Sequence, residues 1–356
     1  MGRDAGISRR RFGALSTAAL TGALGAGCAG GSGGRPAGVG FVLSHEQFRT
    51  PELVSFAERA EQAGFGPVWA SDHLQPWQDD QGHSMFPWIT LALAARSTRR
   101  VVIGSGVTCP TYRHHPVDVA QAFASLELLA PGRTFLGVGT GEALNEQAGT
   151  GSYGPYQERH DRLVEAIALI RQLWTGQRIS FQGRFYRTDQ LRLYDVPQHP
   201  PPIHVAAGGP RSARLAGRYG DGWITESGAS LDPGLRGAFE TGAREAGRDP
   251  ATMPRFAEIF AVVGDQAAVE RGARLWRFLG APTDQPNPVA IQQAAQRAPL
   301  SAVTAGWLTG TDPAVHVAGL RRYLDAGVTP FVHFAQDDPP AAIDFYGSRV
   351  LPALAR

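Results

Sequence analysis

From residue 39 onward, short apolar runs alternate with longer stretches whose apolar positions recur every three or four residues. The runs over 39–44, 67–71, 101–107, 134–139, 202–207, 222–225, 256–263 and 331–335 are rich in Val, Ile and Phe. Several are apolar on both faces, the pattern of parallel strands covered on both sides. The stretches over 51–63, 159–174 and 311–326 have helical spacing, and the first predicts Thr50 as N-cap with Pro51 at the first helical position. About eight strand–helix units predict a (β/α)8 TIM barrel rather than an open sheet. Two stretches exceed a minimal barrel. Residues 178–187 alternate around Gln182-Gly183 and predict a small hairpin before the fifth strand. Residues 272–306, which include Pro282, Pro286 and Pro288, predict a helical lid over the barrel mouth between the seventh and eighth units.

The first 37 residues do not share this pattern. Arg9 and Arg10 precede a short, weakly apolar stretch that ends at Cys28, and a Gly/Ser/Pro linker follows. Paired arginines in this setting predict a twin-arginine signal read by the Tat export machinery. The stretch is too short and too glycine-rich for a membrane span, which needs roughly 20 apolar residues. Cys28 behind small residues predicts lipid attachment. The expectation is one barrel domain over 38–356, exported to the cell envelope and anchored there as a lipoprotein.

Composition narrows the partners. The 356 residues carry a formal net charge of only +2, which argues against nucleic acid, because phosphate binding needs a concentrated basic surface. The chain contains no lysine, so neither a Schiff base nor a lysine phosphate ligand is available. Its two cysteines, Cys28 and Cys109, exclude a disulfide framework within the domain and make a zinc site unexpected.

Barrel enzymes carry their chemistry at the C-terminal ends of the strands. Here the second strand leads into Ser71-Asp72-His73-Leu74-Gln75-Pro76-Trp77 and the third into Thr108-Cys109-Pro110. The fourth leads into Thr140-Gly141-Glu142-Ala143-Leu144-Asn145, the fifth into Gly208-Gly209-Pro210 and the sixth into Glu226. Each piece alone has an ordinary structural reading: a satisfied histidine, a helix cap, a tight turn, a core tryptophan. Titratable groups at successive strand ends are what an enzyme needs, and a purely structural barrel has no reason for them. Gly208-Gly209 at a helix start also suits a phosphate, which free N–H groups and the helix dipole both favour.

At these residues the sequence resembles the luciferase-like barrel superfamily, in its branch of deazaflavin (coenzyme F420)-dependent dehydrogenases that includes the glucose-6-phosphate dehydrogenases. The carrying segments are residues 71–77, Phe135 through Glu146, and Ala206-Ala207-Gly208-Gly209-Pro210, with Arg171-Gln172-Leu173-Trp174 and Gly220-Asp221-Gly222 as shorter matches. The runs Val42 through Thr50, Gly82 through Trp88, and Gln336-Asp337-Asp338-Pro339, together with the leader, are similar to the exported hydroxymycolic acid dehydrogenases. The resemblance implies that His73 is the catalytic acid/base at the substrate oxygen and that Glu142 exchanges a proton with the deazaflavin. It implies cofactor contacts from Asp72, Gly106, Val107, Cys109, Thr140, Gly141, Asn145, Gly208 and Gly209. A bulge, in some members with a cis peptide, is implied at Gly106-Val107. Trp77 and Glu226 would face the substrate, and a homodimer is implied. Cys109 departs from the threonine of the sugar-phosphate enzymes. Ala229 and a glutamine near Gln293 stand where those enzymes carry phosphate-binding lysines, so a less charged substrate is expected, namely a secondary alcohol of an envelope lipid. Two other readings stay open: an FMN-dependent monooxygenase of the same superfamily, and a lipid-binding lipoprotein without catalysis.

Overall fold

The structure is a computed structural model that describes residues 38–355. The predicted leader, with Arg9, Arg10 and Cys28, lies outside the described residues. The domain's strands are β1 (Gly40–Leu43), β2 (Pro67–Ala70), β3 (Val102–Ser105), β4 (Thr134–Val138), β5 (Ile203–Ala206), β6 (Gly222–Glu226), β7 (Arg255–Val262), β8 (Leu308–Thr309) and β9 (Thr329–Phe334). All pair in parallel, in the order β6-β5-β4-β3-β2-β1-β9-β7-β8, and β6 also pairs with β7. Eight strands therefore close into the predicted barrel. The two-residue β8 lies outside the ring, on the end of β7, with Ala261 opposite Leu308.

Large and small residues alternate inside the barrel. Val42, Trp69, Phe135, Ile224, Phe256 and Phe331 form one buried cluster, with Trp69 stacked on Phe331 at 3.7 Å. Glycines make the room: a Cβ on Gly104 would stand 2.4 Å from the Phe135 ring, and one on Gly40 would stand 2.6 Å from Phe331. Larger residues at either position would overpack the barrel. Outside the strands, helices bury one stripe each. In the helix Tyr156–Leu173 that stripe is Leu163, Ile167, Ile170 and their neighbours, each fully buried apolar side chain contributing about 1.5–3 kcal/mol.

Three local readings change. Thr50 lies inside its helix, where its hydroxyl pairs with that of Thr90 at 2.7 Å. Arg49 is the N-cap, and its N–H donates to the Glu52 carboxylate. The regular third strand ends at Ser105, where the cis peptide Gly106-Val107 interrupts it as a bulge, although the Gly106 N–H still donates to the Ala70 carbonyl and the Thr108 N–H to that of Gly137, both at 2.9 Å. The inserted hairpin turns at Arg184-Phe185, two residues beyond the predicted Gln182-Gly183, and its pairing extends to Ile179 and Leu191. The Glu165 carboxylate fixes that turn by accepting from the N–H groups of Arg184, Phe185 and Tyr186 at 3.0, 2.9 and 2.6 Å.

The segment over 272–306 forms the expected lid from the end of the helix Gln266–Leu275, the short turn Arg277–Gly280 and the helices Pro288–Ala295 and Leu300–Val303. Three glutamines from the loop after β2 clamp it. Gln75 donates to the Pro286 carbonyl at 2.7 Å and Gln81 to that of Leu275 at 3.1 Å. Gln78 donates to Arg274 O at 3.2 Å and accepts from Phe278 N at 2.7 Å.

Candidate active site

Beneath the lid lies a cavity of about 610 Å³ at the C-terminal ends of the strands. It shares a wall of Val107, Cys109, Glu142, Ala206, Ala207 and Gly208 with a second lobe of about 560 Å³. Asp72, His73, Trp77, Gly106, Val107, Cys109, Glu142, Asn145, Gly208 and Glu226 line the first lobe. Thr140, Gly141 and Gly209 line the second. Every residue to which the resemblance gave a catalytic, cofactor or substrate contact thus lines one bipartite site.

The loop after β2 delivers His73 to the centre. Its Nδ1 stands 3.2 Å from Asn145 Nδ2, and its Nε2 lies 3.6 Å from Glu46 Oε1 and 4.0 Å from Glu142 Oε2. Asn145 Oδ1 accepts from the Leu74 N–H at 2.8 Å, so the amide presents its NH2 to the ring and to Glu142 Oε2 at 3.1 Å. The neutral ring therefore accepts at Nδ1 and carries its hydrogen on Nε2, toward the cavity. Trp77 flanks the ring at 5.1 Å and stacks on Phe278 of the lid at 4.6 Å.

Glu46 follows β1 and was not among the residues picked from the sequence. Its Oε2 accepts from the Ser44 and Ser71 hydroxyls at 2.9 and 2.8 Å. Burial alone would raise its pKa, but the fields of His73 and His333, its own backbone N–H and Ser71 hold it below the usual carboxylate range. Glu142 is displaced the other way. Its side chain opens 44% of its surface to the cleft, yet the enclosing walls raise its pKa by desolvation, with His73 and Asn145 opposing. The two carboxylates beside one imidazole are therefore pushed apart, the pattern of an acid/base site.

Asp72 borders the cavity, but its carboxylate is fully enclosed. Oδ2 accepts from Thr108 Oγ1 at 2.6 Å, and Oδ1 meets Arg113 Nη2 at 2.6 Å and His114 Nε2 at 3.4 Å. Burial opposes its ionisation; the bond from His114, the Arg113 charge and the Thr108 hydroxyl more than offset this and hold it well below the usual range. Its carboxylate thus anchors the wall of the site. Burial and the nearby carboxylates push the Cys109 thiol up, so it is a neutral wall group.

In the second lobe, Gly208 and Gly209 lead into the helix Pro210–Tyr219, with Arg211 and Ser212 on the same wall. The Gly209 N–H is taken by Ser212 Oγ at 3.1 Å, so the anion-binding capacity of this turn rests on the donors beyond it and on Arg211. The glycine walls, the neutral thiol and the Gly106-Val107 shelf fit a flat ring with an anionic tail. Neither Ala229 nor Gln293 is part of the lining of the first lobe, so neither brings a charge to it. The broader point stands on the lining itself. Among the described residues it includes Glu46, Asp72, Glu142, Glu226 and Glu258 but no arginine, and the chain has no lysine.

Comparison with known proteins agrees with this architecture. The luciferase-like monooxygenase family model matches residues 31–330. An F420-dependent hydroxymycolic acid dehydrogenase of Mycobacterium tuberculosis (strain ATCC 25618 / H37Rv) is 61% identical, over 98% of this chain and 99% of its own length. An F420-dependent glucose-6-phosphate dehydrogenase of Nakamurella multipartita is 39% identical over 90% of this chain and 97% of its own. A solved F420-dependent secondary alcohol dehydrogenase, in complex with an F420-acetone adduct, superposes with a TM-score of 0.84 at 32% identity, covering 89% of this chain and 98% of that one. With its closed parallel barrel and this strand-end site, the chain belongs to the luciferase-like monooxygenase family, in the branch of these F420-named dehydrogenases.

Proposed function

We propose that the protein is an F420-dependent dehydrogenase that oxidises a secondary alcohol of an envelope lipid, a hydroxymycolic acid or a close analogue, to the ketone. The carrying observation is the pairing of His73 Nε2 with Glu46 Oε1 at 3.6 Å in a cavity lined by aromatic side chains and carboxylates without an arginine. A phosphorylated sugar would be desolvated there without a cation, which is strongly disfavoured. The names and identities of the relatives support the cofactor and the alcohol class.

When bound, the deazaflavin supplies or accepts the hydride. Gly106, Val107, Cys109, Thr140, Gly141, Asn145, Gly208 and Gly209 would hold it, with Asp72 bracing the wall. The remaining work falls to protein groups. A substrate hydroxyl seated between His73 and Glu46 accepts a hydrogen bond from Nε2–H and donates one to Glu46 Oε1. Glu46 takes the hydroxyl proton as the carbonyl forms, and His73 holds the oxygen in place; in the reverse direction the pair returns the proton. Glu142, its pKa raised by the enclosing walls, exchanges a proton with the cofactor. Trp77, Phe278 and the lid exclude water. Titrating the purified protein with F420 and with FMN, following tryptophan fluorescence, tests the cofactor assignment. Saturable quenching by F420 alone supports it, and preference for FMN overturns it.

The expectations for export, lipid attachment at Cys28 and an envelope location are part of this proposal; an envelope lipid as substrate supports them. The homodimer is supported by Phe86, Ile89 and Leu93, spaced along the helix Pro87–Ser97 and its cap and 42–55% exposed. Sedimentation of the mature domain tests it.

A further inference from the structure

A second histidine–carboxylate pair stands in the same cavity, and the mechanism above does not use it. Glu258 on β7 and His333 on β9 belong to adjacent paired strands, and both line the first lobe. His333 Nδ1 lies 2.6 Å from Glu258 Oε1, and its Nε2 lies 3.0 Å from Gln47 Oε1. The Gln47 amide is oriented by its Nε2, which donates to the Gln336 carbonyl at 3.5 Å. Both ring nitrogens of His333 therefore face acceptors. The ring itself is clamped, with Phe260 stacked on it at 4.5 Å and the Trp276 edge against it at 4.3 Å. The His333 side chain is 3% exposed, whereas that of Glu258 is 32% exposed, into the cavity.

This leaves an oriented acceptor without a partner. Glu258 Oε1 is occupied by His333, and among the described residues no donor reaches Oε2. The same lobe is walled by Phe260 and Trp276, which pack on His333, and by Trp307, stacked on Phe260 at 5.3 Å. A carboxylate oxygen placed among aromatic side chains is costly to desolvate unless a ligand hydrogen-bonds to it. A purely structural pair has no need to expose one oxygen to the substrate space.

We propose that Glu258, positioned by His333, is a second recognition point in the substrate cavity that binds an uncharged hydrogen-bond donor, a second hydroxyl, carried on the substrate at some distance from the reacting one. The inference rests on the alcohol reading above and narrows it. A free carboxylate at this end of the substrate is rejected by Glu258, Glu46 and Glu226, so an acid group must be esterified or lie outside the cavity. His333 touches neither reacting atom; it positions Glu258, and its field also reaches Glu46.

The test is equilibrium binding, followed by the fluorescence of the cavity tryptophans. Decan-2-ol is compared with decane-2,4-, 2,5- and 2,6-diols on the wild type and on E258L, E258Q and H333Q. The wild type should bind its best diol about ten- to a hundredfold more tightly than the mono-ol. E258L should erase that preference by weakening the diol while sparing or improving the mono-ol, and H333Q should reduce it by weakening the diol more than the mono-ol. E258Q keeps the shape of the side chain and guards against a folding failure of E258L; it should show a smaller preference than wild type. Equal binding of all four alcohols by the wild type, or equal weakening of mono-ol and diols by the variants, overturns the proposal. Hydride transfer to F420 is measured separately. A diol preference without turnover leaves the subsite standing and removes the dehydrogenase reading instead.

Discussion

Asn145 holds His73 by its inner nitrogen: Nδ2 stands 3.2 Å from Nδ1, and the Leu74 N–H fixes which end of the amide faces the ring. That single contact decides which nitrogen carries the hydrogen, and so what His73 offers a substrate oxygen. Ring ¹⁵N spectra should show His73 with a bare Nδ1 and a protonated Nε2 when neutral. N145D replaces the donor by an acceptor and should draw a proton to Nδ1, with turnover falling about ten- to a hundredfold. A wild-type ring protonated at Nδ1 alone would contradict this reading.

The proton-handling groups should separate from the binding groups in kinetics. H73A, E46Q and E142Q should each lower turnover on the order of 10²–10⁴-fold. Binding of F420, followed by fluorescence, should stay within a few fold of wild type. Full activity in E46Q would return the proton-accepting role to His73 alone.

Asp72 is expected to matter for stability more than for chemistry. Its enclosed carboxylate neutralises Arg113, whose side chain is 11% exposed. D72N leaves that charge buried without its partner and should destabilise the domain by about 3–5 kcal/mol, read as a lower urea midpoint. A midpoint equal to wild type would show that Arg113 is satisfied without Asp72.

Two buried histidines set an acid limit. Burial lowers His45 and His204 each to about 4 from the ordinary 6.5 of a free imidazole. Between those values the unfolded chain binds protons that the folded chain does not, so stability falls as pH drops from about 6.5 to 4. Each histidine contributes roughly 3 kcal/mol of that loss. H204L should flatten the decline measured by urea unfolding across this window, and an unchanged slope would contradict the assignment.

Much of the architecture was legible because buried parallel strands and amphipathic helices leave different periodicities, and because barrel chemistry gathers where strands end. His73, Glu142 and Asn145 could be found in this way, His73 and Glu142 in loops after strands and Asn145 in the helical turn that follows β4. Glu46 could have been found by the same rule, since it follows β1 as His73 follows β2. Glu258 and His333 could not, because both sit within strands whose sequence reads as continuous core, and only the closure of β7 against β9 brings them together. The hairpin turn was misplaced for a similar reason. Glu165, on a preceding helix, fixes it, and local alternation carries no trace of that contact.

The central claim is hydride transfer between a secondary alcohol and F420, and stopped-flow absorbance of the protein loaded with oxidised F420 tests it most directly. Mixing with a long-chain secondary alcohol should bleach the visible band of the cofactor in a single enzyme-dependent phase, and glucose 6-phosphate should leave it unchanged. Bleaching by the sugar phosphate, or none with any secondary alcohol, would contradict the account.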